Sequence, residues 1–400
     1  MDSLKPLMRR HWPLVVVAVL FGLYGWALVV ATGSGHDGVI GPRFNALGGD
    51  WVIFLAAARA SFTGDLVHIY DQAWITAATN TQFADWLSGP LPFPLFPYPP
   101  IFLLLVLPFA KLSVGWSLLL SQLAQFTVLA WALRKLAPDK NYPFFLIAAF
   151  LSPAAANNVL AGSNAVLVTA LIVGGIALLK DRPVLAGALL GVVIFKPQFF
   201  PLLPLALIAA KQKRALMGMT ASVAALIVMS AILFGPSLWL DWINVYLHPQ
   251  QVQGVNATDW GHSWDESVST CVALLGAPRW LANLAQGAAV LIAMAAVWRA
   301  FSKFHAQRLG VLLGAVLLAS PHVSNYDLVL LAVAAVLMLK TLPDTARPLV
   351  LILPLAVWLA PLYNPPKVMA LGLVTPVVIL ALMAWFLGFW SRQKPLPGKG

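Results

Sequence analysis

An all-α polytopic membrane protein with about twelve transmembrane helices is the fold class this sequence predicts. Three observations predict it. The 400 residues are 60% hydrophobic and only 10% charged, where a soluble globular chain carries about a quarter charged residues. The apolar stretches are continuous rather than alternating, which excludes an outer-membrane β-barrel. Lys and Arg concentrate in short connections on one side of the layout, as the positive-inside bias requires. The same composition excludes a soluble enzyme, a disordered chain and an ordinary nucleic-acid binder.

The elements follow in chain order. Lys5, Arg9 and Arg10 precede an apolar run, Trp12 to Ala31, that is too long for a signal-peptide core and reads as a retained first helix. Spans fall at about 11–32, 114–135, 143–158, 164–180, 183–196, 198–211, 215–235, 278–299, 308–321, 325–340, 347–363 and 368–390, at roughly 20 residues per crossing or somewhat less. Pro153, Pro201 and Pro204 predict kinks supported by neighbouring helices. The stretch from Tyr98 to Lys111 is read as a re-entrant or interfacial helix. Counting it as a span would place Arg134, Lys135 and Lys140 outside.

With that choice the charges divide. Of the 25 Lys and Arg, only Arg43, Arg59, Lys111, Lys196, Arg279 and Lys367 fall outside. Of the 14 acidic residues, only Asp2, Asp139, Asp181 and Asp344 fall inside. The net charge of +11 therefore reflects orientation rather than affinity for an acidic partner, and both termini are expected in the cytoplasm. Two loops are long and both are outer, 33–113 and 236–278. The inner loops are short. The chain reads as one integral-membrane domain over 1–400, in the inner (plasma) membrane, working on its extracytoplasmic side. The single cysteine, Cys271, excludes an intramolecular disulfide framework.

The polar residues at the outer edge are the candidates for function, because ionisable groups at membrane depth are costly. Asp50 opens a segment in which Trp51, Phe54, Leu55, Ala58 and Phe62 share a helical face. This predicts a helix lying on the outer leaflet, with Asp50 either capping it or acting as a base on a sugar hydroxyl. Arg59, on the same helix, could hold a phosphate or occupy a solvated face. Asn157, Asn158 and Gly162-Ser163-Asn164 mark a helix hairpin, as turn residues or as a cavity lining. Lys196 precedes Pro197 and Gln198 where an apolar helix reaches the outer side, and it either snorkels to headgroups or binds a lipid phosphate. The second outer loop carries Asp259-Trp260-Gly261-His262-Ser263-Trp264-Asp265-Glu266, a mixture suited to a sugar-contacting surface. Ser320-Pro321-His322 and Asn325-Tyr326-Asp327 form a short outer turn with a histidine and an aspartate. No metal spacing, Gly-rich phosphate loop or G-x-S-x-G elbow is present. No metal and no cofactor are expected. Asp50, Asn164, Lys196, His262, Glu266, His322 and Asp327 come from distant segments, yet the topology puts all of them on one side.

In this layout the chain resembles glycosyltransferase family 87 of the GT-C superfamily. The resembling pieces are Gly49-Asp50-Trp51 and Tyr98-Pro99-Pro100 with its helix ending Pro108-Phe-Ala-Lys-Leu112. They continue with Leu160-Ala-Gly-Ser-Asn164, Ala186-Gly-Ala-Leu-Leu-Gly, Lys196-Pro197 and Ser320-Pro-His322. The family often has Gly-Gln-x-Asn where this chain has Gly162-Ser163-Asn164. The resemblance implies a GT-C-like bundle. It also implies transfer of a sugar, typically mannose, from a polyprenyl-phosphate donor to an extracytoplasmic glycolipid or glycan acceptor, with inversion and without a metal. It carries the catalytic role to Asp50 and a functional histidine to His322. Lys196 and Arg59 then face the donor phosphate, and Asn164, Gln198, His262, Glu266 and Asp327 the substrates. A transporter or flippase for a lipid-linked sugar is the alternative, but it would be expected to show internal repeats and a midplane site.

Overall fold

The computed structural model describes residues 4–33, 47–87, 89–91, 94–247, 265–303, 307–362 and 374–391. Among these residues all regular structure is helical and there are no strands; the one extended pairing is an isolated antiparallel bridge between Asp265 and Ser324. Helices α1 (Lys5–Arg10) and α2 (Trp12–Gly33) lead to the first loop. There α3 (Gly49–Thr63), α4 (Gln72–Gln82) and α5 (Ile101–Val106) form. The bundle continues through α6 (Val114–Leu136), α7 (Tyr142–Leu151), α8 (Pro153–Ala161), α9 (Ala165–Leu178), α10 (Pro183–Val192), α11 (Leu202–Ala209) and α12 (Lys213–Phe234). After α13 (Ser237–Leu247) come α14 (Val268–Leu274), α15 (Arg279–Ser302), α16 (Arg308–Ala319), α17 (Val329–Lys340), α18 (Pro348–Leu359) and α19 (Val374–Ser391).

Where its residues are described, every segment predicted as a span forms helix. Helix length nevertheless supports fewer crossings than twelve. Among the described residues four helices, α2, α6, α12 and α15, are long and apolar enough to cross a membrane, and α7 with α8 would make a fifth, bent by 50°. The other apolar helices run 10–17 residues, about 15–25 Å at 1.5 Å per residue, less than a hydrocarbon core of about 30 Å. Prolines account for several of the breaks. Lys196 is held extended before Pro197 (φ −119°, ψ 77°), as the residue before a proline usually is, so α10 stops there.

The bend at Pro153 shows how such breaks are made tolerable. Proline brings no N–H and frees carbonyls upstream. Ser152 Oγ donates to Ala149 O at 2.9 Å, Trp26 Nε1 to Phe150 O at 2.9 Å, and Trp358 Nε1 to Ala148 O at 2.9 Å. Ser152 Oγ also accepts from Ala155 N and caps α8.

Helices α9, α16 and α17 form the buried centre, and α2 and α12 present exposed apolar faces such as Leu20, Ile232 and Leu233. Close packing of α10 on α12 depends on glycine. A Cβ on Gly187 would stand 1.7 Å from Ala215 O, and one on Gly218 would stand 2.0 Å from Val184 O. Small residues allow such backbone approach between apolar helices.

The two ends of the bundle differ. At one end Leu4 N donates to Asn141 Oδ1, His11 Nε2 lies 3.0 Å from Ala346 O, and Lys340 pairs with Asp139 at 4.0 Å. The amino-terminal segment and two connections expected on one side thus meet. The other end of α17 carries Asp327, and there α3, α8 and the α16–α17 connection gather. Trp242 Nε1 donates to Pro97 O at 3.1 Å, joining the two long loops.

Helix α3 does not lie on the surface as the apolar stripe predicts. Trp51, Val52, Phe54, Leu55, Ala56, Ala57, Ala58 and Ala60 are all buried. Its alanines leave no polar flank over these turns, so α4, α5 and α8 enclose it. The 98–111 stretch forms α5 and a 3-10 turn, Leu107–Phe109. At about 13 Å it is too short to cross.

Candidate functional site

The site begins where α3 meets the end of α8. Gly48 adopts φ +73° before α3 and Gly162 adopts φ +69° after α8, conformations open chiefly to glycine. Gly48 N donates to Leu160 O at 2.7 Å. A Cβ on Gly162 would stand 2.6 Å from Trp51 Cβ and 2.9 Å from Gly48 Cα. The contact fixes Asp50 beside the α8–α9 turn. Asp50 is the second residue of α3, and no side chain caps this helix, so the capping role is not what holds Asp50 there.

Amides of α6 build the turn. Gln122 and Gln125 Nε2 donate to Ser163 O at 3.2 and 3.0 Å, and Asn158 Nδ2 donates to Gln122 Oε1 at 2.8 Å. Asn158 Oδ1 accepts from Ala165 N and Val166 N, and Gln125 Oε1 accepts from Leu167 N. These are the first N–H groups of α9, which lack helical partners. Asn158 therefore holds the turn. Asn164 Nδ2 donates to the Tyr98 hydroxyl at 2.9 Å, while Ser163 Oγ and Asn164 Oδ1 are buried without a hydrogen bond. Buried polar atoms are rarely left so, and the Ser163 side chain acts on Asp50.

Lys196 does not snorkel. It is 3% exposed, and its Nζ forms an ion pair with Asp327 Oδ1, whose side chain is 1% exposed. Asp327 Oδ2 accepts from Ser324 N at 3.0 Å in a capping box. The ammonium also lies over the Phe199 and Tyr326 rings, 5.0 and 5.3 Å from their centroids. Burial pushes the Asp50 carboxyl above the usual carboxylate range, against the lowering influence of Tyr326, Lys196 and Ser163. Residues from α3, the α8–α9 turn, the Lys196 turn and the α16–α17 connection thus share one locus.

A second cluster adjoins it. Glu266 N donates to Val323 O at 2.7 Å beside the Asp265–Ser324 bridge. His322 Nδ1 lies 3.3 Å from Asp265 Oδ2, and the ring is 56% exposed. Burial works to raise the Asp265 pKa, but His322 and the Val323 and Ser267 N–H groups hold it below the usual range. The crowded surroundings of the imidazole push its pKa down, Asp265 pushes it up, and the net shift is upward. Glu266 is buried, and its Oε2 accepts from Thr375 at 2.6 Å. Nearby Cys271 is also buried, its thiol pushed up to about 12 by burial, then by Glu266 and Asp265.

The remaining candidates lie elsewhere. Arg59 is nine residues beyond Asp50, on the far side of α3 at 100° per residue. It donates from Nε to Ala110 O and from Nη2 to Leu112 O, both at 3.0 Å, and lies 5.0 Å from the Phe83 centroid. It lines a separate cavity of about 630 Å³ with Gln82, Asp85, Trp86 and Trp116. Gln198 is half-buried in the turn after Lys196. His262 lies outside the described residues. The sequence reading missed Tyr98, Gln122, Gln125, Asp265 and Tyr326 as members of the site.

The model of glycosyltransferase family 87 matches residues 96–321, more than half of the chain. The chain belongs to this family. It is a membrane glycosyltransferase, with a sugar donor and an acceptor as substrates. No curated protein and no solved structure gives a significant match. Within the matched stretch, the family 87 enzyme carries Asn164, Lys196, Asp265 and Glu266; Asp50 precedes it, and His322 and Asp327 follow its last residue.

Proposed function

We propose that this family 87 enzyme transfers a sugar, mannose by resemblance, from a polyprenyl-phosphate donor to an acceptor hydroxyl, with inversion. The observation that carries the proposal is the meeting of Asp50 with the Lys196–Asp327 pair beside the unpartnered Ser163 Oγ and Asn164 Oδ1. A base, a cation and unsatisfied hydrogen-bonding atoms are what glycosyl transfer from a phosphate leaving group needs.

Asp50 takes the proton of the acceptor hydroxyl. A carboxyl whose pKa is raised by burial is a stronger base than an exposed one. The acceptor oxygen attacks the anomeric carbon, the bond from that carbon to the phosphate oxygen breaks, and its electron pair leaves with the lipid phosphate. The lipid phosphate passes from a monoanionic diester to a dianionic monoester. Fixed positive charge placed where that negative charge develops lowers the barrier; Lys196 and His322 supply it, without a metal. Ser163 and Asn164 contact sugar hydroxyls. Asp327 keeps Lys196 in place, and Glu266 and Gln198 border the acceptor.

The site lies at the end of the bundle opposite Lys340, Asp139 and Asn141. Under the positive-inside bias it opens to the extracytoplasmic side of the plasma membrane, with both termini in the cytoplasm and the shorter helices completing about twelve crossings. The test is transfer from radiolabelled polyprenyl-phosphomannose by the purified protein in lipid nanodiscs, scored with and without an extracted glycolipid acceptor. Acceptor-dependent labelled product supports the reading. If labelled donor crosses the bilayer intact in proteoliposomes and no product forms, the protein is a flippase instead.

A further inference from the structure

We propose that Asp265 is a positioning residue, gripping His322 through Nδ1 so that Nε2–H is presented to the phosphate of the lipid-linked donor. The inference rests on the reading above that the donor is a lipid phosphate sugar.

The Asp265 carboxylate has little freedom. Oδ1 accepts from Val323 N and Ser267 N, both at 2.9 Å. Oδ2 accepts from Thr270 Oγ1 at 3.0 Å and faces His322 Nδ1 at 3.3 Å. The residue is 7% exposed. Four donors, three of them fixed by backbone or by α14, leave it no other rotamer with its partners satisfied. Val323 is the residue after His322, so one carboxylate fixes both the ring and the backbone that bears it. The Asp265–Ser324 bridge locks the same junction from the other side.

A carboxylate only accepts, so Nδ1 carries the proton and the orientation of the ring is set. Nε2 remains, with Ser324 Oγ at 3.5 Å, the edge of hydrogen-bonding range. The two cations of the site differ in what they can reach. Lys196 is 3% exposed and paired with Asp327, whereas the His322 ring is 56% exposed. The charged groups acting on His322 are Asp265 and Asp327, which favour the imidazolium, and Lys196, which opposes it. The net effect shifts the ring toward its charged form, in which its Nε2–H makes a charge-assisted hydrogen bond to phosphate. No proton changes hands in this role; His322 offsets the charge that the phosphate gains as the glycosidic bond breaks.

The test uses the full-length protein with ¹⁵N-labelled histidine in nanodiscs. His322 is assigned by the signal lost in His322→Gln, and its titration is followed with and without added polyprenyl phosphate. We expect a midpoint above that of free histidine, lowered in Asp265→Asn, with the Nε2 resonance moving when polyprenyl phosphate is added. In the transfer assay the alkaline limb of kcat/KM should move to lower pH in Asp265→Asn. The double variant Asp265→Asn/His322→Gln should be no slower than His322→Gln alone, within about twofold, since residues acting as a unit are not additive. A wild-type midpoint at or below that of free histidine would overturn the proposal even if Asp265→Asn did not fold. So would an unmoved midpoint in a folded Asp265→Asn, an Nε2 signal indifferent to polyprenyl phosphate, or multiplicative losses in the double variant. The titrations need no sugar donor, so absence of transfer by the wild type would count against the functional reading alone.

Discussion

Lys196 and Asp327, 131 residues apart in the chain, form an ion pair inside the bundle with almost no exposed surface on either side chain. Removing one partner leaves a buried, uncompensated charge, which typically costs about 3–5 kcal/mol, whereas replacing both by apolar groups is often neutral. Lys196→Met and Asp327→Leu should each lower the thermal unfolding midpoint of the solubilised protein. The double variant should regain stability without regaining transfer. A single variant that unfolds like the wild type would show that the pair bears no such load.

Gly162 joins α8 to α3. An alanine there meets Trp51 and the Gly48 backbone at a positive φ that costs a non-glycine residue on the order of 1–3 kcal/mol. Gly162→Ala should lower the unfolding midpoint and transfer together, because Asp50 moves with α3. Unchanged stability would mean that α3 relaxes away freely.

The acid limb of the pH profile reports Asp50. Its pKa is raised, chiefly by burial, while Tyr326 pulls it down. Activity should therefore fall, as pH drops, at a higher pH than an ordinary carboxylate would give. Tyr326→Phe removes a lowering influence and should move that limb higher still. A limb displaced to lower pH in Tyr326→Phe would contradict the assignment.

Much of the site was legible in the sequence because polar groups stand out in an apolar chain. Asp50, Lys196, His322 and Asp327 each sit at a helix end where an ionisable side chain is costly, and one-sided charge counting brought them to one face. Asp265 was harder to see. It lies in the same acidic and aromatic stretch as His262 and Glu266, and only the pairing of that stretch with residues 323–324 distinguishes it. Gln122 and Gln125 resemble ordinary polar residues of a long helix until the α8–α9 turn is placed against them. Tyr98 and Tyr326 were hidden among aromatics. For Arg59 the signal was available, since nine residues of helix turn it away from Asp50. The helices themselves were well located, but how many of them cross the membrane depends on length and tilt, and prolines shorten several of them.

Arg59 closes the carbonyl end of the α5 segment rather than joining the Lys196 locus. Arg59→Met should lower stability by about 1–3 kcal/mol, the cost of leaving polar groups without a partner, and should leave the donor KM within about twofold of wild type. A large rise in donor KM at unchanged stability would instead place a phosphate at Arg59.

The most direct measurement is transfer by Asp50→Asn under single-turnover conditions, with donor binding followed in parallel. Loss of a general base should slow transfer by about 10²–10⁴-fold, while folding and binding of the lipid-linked donor persist. Transfer at the wild-type rate would contradict the account, for the proton of the acceptor would then be leaving by some route other than Asp50.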